Sequence, residues 1–134
     1  MPNEESAGPV SIYNFTDLLE FLRDRDAGAT VLSSKRFCEV VGIDPDVLTA
    51  LAEVHGKTSD ATSAFVSVQC FIRSALRVLR AASDLSGDLE RAISWFRDES
   101  LTSFGHKTAE RLVADGRVED VIRYVLSLDA GVVG

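Results

Sequence analysis

Residues 60–84 read DATSAFVSVQCFIRSALRVLRAASD. Phe65, Val68, Ile72, Leu76 and Leu79 recur at intervals of three and four, the spacing of one helical face. Val66, Cys70 and Val78 widen that face into a broad apolar arc. A helix this long and this apolar belongs at the centre of a domain. Either other helices cover it on more than one side or it packs against a second copy of the chain.

Moving outward, the same period returns and no extended period-2 alternation appears. On the N-terminal side, NFTDLLEFLRDRDAG places Phe15, Leu18, Leu19 and Leu22 together, with Gly28 as a stop signal. SSKRFCEVVG and DPDVLTALAEVHG read as two helices joined at Gly42-Ile43, the second capped by Asp44 with Pro45 in its first turn. On the C-terminal side, SGDLERAISWFRDES reads as a helix capped by Ser86. KTAERLVADGR follows, closed by Gly116, and then VEDVIRYVLSLDAG, closed by Gly131. The chain is expected to be all-α, with six or seven helices.

With 134 residues, 46% of them apolar, one folded domain with a real core is expected, with room for at most a small appendage. The net charge of −7 is concentrated at the front, where residues 1–30 hold six acids against two arginines. Such an acidic chain is a poor general binder of nucleic acid, whose affinity comes from cations meeting phosphates. The N-terminal residues carry acids where a secretion signal needs positive charge, and no apolar run reaches the roughly 18 residues of a membrane span. A soluble, cytoplasmic protein is expected, with Cys38 and Cys70 as free buried thiols.

The stretch SFGHKTAERLVADGR, residues 103–117, imitates a phosphate-binding loop. The imitation fails on spacing: His106 separates Gly105 from Lys107, and the fifth residue before Gly105 is Ser100, not glycine. A helix precedes it where such a loop needs a strand. Gly105 is expected to turn the chain and Thr108 to cap a helix beginning at Ala109. His55 near a helix C-terminus and His106 in a loop have no carboxylate, serine or cysteine constellation around them, and no metal-ligand spacing is present. No catalysis, cofactor or metal is expected.

The block AISWFRDESLTSFGHKTAERLVADGRVEDVIRYVLSLDAGVVG resembles the C-terminal toxin-binding domain of the Xre/MbcA/ParS antitoxin family. The features that carry the resemblance come in order: an aromatic-bearing helix with Trp95 and Phe96, a link with Leu101, a helix capped by Thr108 and ending RLVADGR, then YVLSLDAGVVG. It covers about 43 residues; its spacing is distinctive although its residues are common. Ala109 departs from the proline that many members have there.

Residues 34–53 have the apolar spacing of a helix-turn-helix, with Phe37, Val41, Ile43, Leu48 and Leu51 inward and Gly42 at the turn. They resemble the divergent unit that precedes the toxin-binding block in the same family. The start of the second helix, which reads bases in this motif, is Asp44-Pro45-Asp46. A unit-charge pair near a surface interacts by about 1–4 kcal/mol at contact, so two carboxylates there offset most of one good base contact. Lys35, Arg36, Thr49 and the ridge Arg73, Arg77, Arg80 are the candidate DNA contacts. The ridge could equally be a solvated face paired to carboxylates.

The resemblance implies three parts: an acidic tail at 1–12, a helix-turn-helix-like region with the long helix at 13–85, and a toxin-binding domain at 86–134. It implies an antitoxin that neutralises a RES-domain, NAD-degrading toxin by binding it and occluding its active site, as a homodimer, with repression of its own promoter as a second role. Partner contacts would fall on Trp95, Phe96, Leu101, Lys107, Arg111, Arg117 and Asp129, and on the small apolar ending Gly131, Val132, Val133 and Gly134. The other readings are a DNA-binding regulator and an orphan interaction module.

Overall fold

The computed structural model describes residues 12, 14–23, 31–59 and 63–129. Among them the chain forms seven α-helices and no strand: α1 Phe15–Leu22, α2 Ser34–Val41, α3 Pro45–Ser59, α4 Ala64–Ser86, α5 Leu89–Asp98, α6 Ala109–Ala114 and α7 Val118–Asp129. A short 3-10 turn, Thr102–Phe104, links α5 to α6.

The helix starts follow capping chemistry. Asn14, Ser33, Ser63 and Thr108 each accept a hydrogen bond from the backbone N–H three residues on, which satisfies a donor the helix itself cannot. Asp44, ahead of Pro45, accepts from the backbone N–H two residues on, that of Asp46. The C-terminal ends agree less well with the sequence pattern. α1 stops at Leu22 because Arg23 turns extended and bridges Leu32, well short of Gly28, which lies outside the described residues. α3 runs through Gly56 to Ser59, so that glycine is interior and buried. α4 runs past Asp84 to Ser86, where Gly87 at φ 72° ends it. Ser86 is therefore not the cap of α5. Asp88 is, accepting from the backbone N–H groups of Glu90 and Arg91.

The long helix is the hub. α4 packs most heavily on α3, then on α7 and α5, and also touches α1, α2 and α6. Its buried residues Phe71, Ile72, Ala75, Leu76, Val78, Leu79 and Ala82 cover much of its circumference, and helices of the same chain meet them. The middle and end of the broad apolar arc are thus filled within one chain, but its start is not: Phe65 and Val66 are exposed, at 59% and 36%. Phe37 of α2 meets Phe71 edge to face at 6.4 Å, and His55 of α3 meets the same ring at 5.9 Å. Gln69 of α4, almost fully buried, hydrogen-bonds through both amide atoms to the backbone of Leu32, at 3.0 and 2.8 Å, and so holds the extended link ahead of α2. Ile12 packs on the core as well. One buried cluster runs from Leu18 to Val121, across residues 85 and 86.

Candidate partner-binding surface

Trp95 and Phe96 are neighbours on α5, so they point about 100° apart, and one lies inside the core while the other packs at its edge. Phe96 is the inner one, with no exposure, alongside Leu89 and Ala92. Leu101 is also buried, at 2%; its N–H donates to the Lys107 carbonyl and its own carbonyl accepts from Phe104 and His106. Both residues hold the fold and leave nothing for a partner to touch, which corrects their assignment as contacts. Trp95 stays half-buried at the edge.

Around Trp95 the structure assembles a groove the sequence did not announce. Ala82 and Leu85 of α4, Ala92 of α5, and Val125 and Leu128 of α7 enclose a cavity of about 160 Å³ whose accessible lining is almost wholly apolar. Leu85 and Leu128 are 37% and 48% exposed, far more than core leucines, so the groove is open to solvent. Ser86 and Arg91 complete the rim. The signal that could have found it is the pair of leucines at the last turns of α4 and α7, where an amphipathic helix has no internal need for them.

One turn before Leu128 on α7, Tyr124 meets Phe104 edge to face at 5.8 Å. The Arg117 guanidinium lies over that same Phe104 ring, 5.1 Å from its centre, while its Nε donates to Asp120 at 3.0 Å. Asp120 also receives Arg123. Lys107 and Arg111 converge on Asp115, at 3.0 and 3.3 Å. Lys107, Arg111 and Arg117 are therefore exposed and fixed in position, with their charge shared by carboxylates of the same block. Asp129 ends α7, and Gly131, Val132, Val133 and Gly134 lie outside the described residues.

The helix-turn-helix scaffold is present: Phe37, Cys38, Val41, Leu48 and Leu51 are buried and Ile43 packs against them. Its candidate DNA contacts are mostly turned to other work. Arg36 donates to the carbonyls of Phe21 and Arg23 and stacks on the Phe21 ring. The Thr49 hydroxyl donates back to Pro45 of its own helix. Arg77 pairs with Glu119 at 2.7 Å, and Arg80 lies over the Phe15 ring. Arg73 is exposed on the same helix and makes contacts of its own, and Lys35 stands exposed on α2.

His55 is not a solvated charge at a helix end. It is 5% exposed, with Nδ1 at 2.9 Å from the Val113 carbonyl and Nε2 at 3.2 Å from the Ser74 hydroxyl. A carbonyl only accepts, so Nδ1 carries the proton and Nε2 accepts from Ser74. Burial pushes its pKa below the ordinary histidine value and so favours the neutral ring. Gly105 turns the chain as expected, at φ 72°, and the exposed His106 after it also holds a positive φ, 66°. Among the described residues no group of histidines, cysteines and carboxylates could hold a metal, and no helix is long and apolar enough to cross a membrane. Comparison of the chain with protein-family models, curated proteins and solved structures found no match.

Proposed function

We propose that this chain is an antitoxin of the Xre/MbcA/ParS type, which neutralises a RES-domain, NAD-degrading toxin by binding it and covering its active site. The observation that carries this reading is the open apolar groove at Trp95, built between the end of α4 and the block that resembles the toxin-binding domain. A folded surface that leaves a tryptophan and two leucines at an unfilled cleft is suited to protein docking. The exposed cations Lys107, Arg111 and Arg117 lie in the same block, paired to Asp115 and Asp120. The ending Gly131–Gly134 would supply the segment that enters the toxin.

Co-expression with the adjacent open reading frame tests this directly, with growth, cellular NAD and co-purification followed together. The neighbour alone should stop growth and drain NAD, and should be silent and co-purify when this chain is present. A harmless neighbour that does not co-purify would remove the antitoxin reading. A homodimer belongs to the same proposal; the chain itself covers the middle and end of the α4 arc, while Phe65 and Val66 at its start stay exposed. Sedimentation at micromolar concentration tests it, and a monomer there would exclude it. Repression of its own promoter is the weaker part, since Arg36, Arg77 and Arg80 are engaged within the fold and Asp44 and Asp46 stand at the tip of α3.

A further inference from the structure

We propose that the surface joining the 3-10 turn Thr102–Phe104, the α6–α7 turn and the first turns of α7 receives an acidic segment of a partner protein, through Lys107, Arg111, Arg117 and Arg123. The inference rests on the partner-binding reading above and names the chemistry that the partner must bring. Two contacts make this a single surface. Lys107 reaches Asp115 at 3.0 Å, and the Arg117 guanidinium covers the Phe104 ring at 5.1 Å, so the turns before and after α6 lie side by side. Arg111 joins through Asp115, and Arg123 through Asp120, the carboxylate that also holds Arg117.

Four cations thus share two carboxylates, a surplus of two positive charges in a chain whose net charge is −7. Among the described residues no other carboxylate comes within ion-pair distance of the four. Depth decides what an approaching group meets. The Asp115 and Asp120 side chains are 18% and 39% exposed, whereas the four cations range from 48% to 76%. The carboxylates lie beneath and the cations outermost. The pair on the neighbouring face, Arg77 with Glu119, is matched one to one and has no such surplus. The hydrogen bond from Arg117 to Asp120 uses Nε alone, so its Nη groups can donate to a second carboxylate in the forked geometry that such pairs favour. A nucleic-acid backbone would pass its phosphates over Asp115 and Asp120 as well, with only two surplus cations to set against them. A protein segment can place one or two carboxylates at the arginines and rest an apolar side chain on the half-buried rings of Phe104 and Tyr124.

The probe is the peptide acetyl-Glu-Phe-Glu-amide, and acetyl-Gln-Phe-Gln-amide keeps its shape while removing the charge. Titrated into the full chain at low salt, the acidic peptide should move the backbone amide signals of residues 104–107 and 115–123 saturably in nitrogen-15 NMR. The glutamine peptide should move them far less, and added salt should weaken the acidic one, as screening requires. Arg117→Gln should loosen binding by roughly twofold to fivefold, the usual worth of an exposed charge pair. Asp120→Asn should tighten it by a similar factor, because it removes the acid that Arg117 and Arg123 now share. A gain of binding is a result that misfolding does not produce.

Four results would overturn the proposal: no saturable shifts, or shifts centred on other residues; an equal response to the glutamine peptide; weaker binding by Asp120→Asn; or trithymidylate, of equal charge, binding these residues more tightly than the peptide, which makes nucleic acid the occupant. The two readings fail separately. Peptide binding here without toxin neutralisation overturns the antitoxin alone, and neutralisation without peptide binding overturns the cationic surface alone.

Discussion

A proton added to His55 would have to sit between a carbonyl, a hydroxyl and the edge-to-face ring of Phe71, in a site with almost no water. Burial holds its folded pKa below the value of about 6.5 it has in an unfolded chain. Stability from the neutral ring is therefore complete above about pH 6.5 and declines as pH falls towards the depressed value. The midpoint of urea unfolding should drop between pH 7 and pH 5, and His55→Gln should flatten that drop even if it costs stability at pH 7. Glu110 behaves in the opposite sense. Its Oε2 is buried without a hydrogen bond, and burial raises its pKa although Arg97 lies near enough to lower it. Its charge is a cost at neutral pH, so Glu110→Gln should stabilise by about 0.5–1 kcal/mol at pH 7, less than a full unsatisfied-group penalty because the residue is not fully buried. The advantage should fade in acid, as the glutamate takes up its own proton. Neither residue's role was legible in the sequence. A lone histidine at a helix end and a glutamate in a first turn each have an ordinary exposed reading; the packing of α3 against α6 removes it for His55, and the end of α5 lies beside Glu110.

Helix beginnings were legible and helix ends were not. A start is written locally, in a serine, threonine or asparagine whose side chain reaches a backbone N–H three residues away. An end depends on what the last turn meets. Gly56 looks like a terminator but is buried inside α3, whereas Gly42, Gly87 and Gly116 do end helices, all with positive φ. The same limit applied to Trp95 and Phe96. The sequence placed an aromatic pair on one helix, and the neighbouring helices decided which ring became core and which became rim. Gly116 also shows how elements meet. A Cβ there would lie 2.9 Å from the Thr58 side chain of α3, which is branched at Cβ and cannot swing away. Gly116→Ala should therefore cost about 2–3 kcal/mol in chemical denaturation, combining the clash with the φ of 84°. Gly42→Ala meets only the far end of Arg97 at 3.0 Å, which can move, and should cost about 1–2 kcal/mol. Adding Thr58→Ala should recover part of the first loss and none of the second. Equal recovery in both would mean that backbone strain alone, and not contact, sets the cost.

For the molecule as a whole, the all-α class and the central place of residues 64–86 followed from hydrophobic period alone, because that pattern is what a covered helix must have. The groove did not follow, since it is a space left between three helices rather than a motif on any of them. Nor did the fate of the cations, which reads as a ridge along α4 and becomes, in three dimensions, pairs with Glu119 and Phe15. With those charges engaged, the chain alone should not retard its promoter DNA at physiological salt; retardation there would restore the regulator reading. The hub position of α4 carries a further consequence for synthesis. The first three helices leave the ribosome before the helix they pack on, and that helix leaves before α5, α6 and α7, which shield its other sides. Val113, whose carbonyl His55 holds, is made 58 residues after that histidine. The buried cluster draws on residues from Leu18 to Val121, so a prematurely terminated chain should be protease substrate rather than half a protein, which limited proteolysis of a chain cut after Ser86 would check.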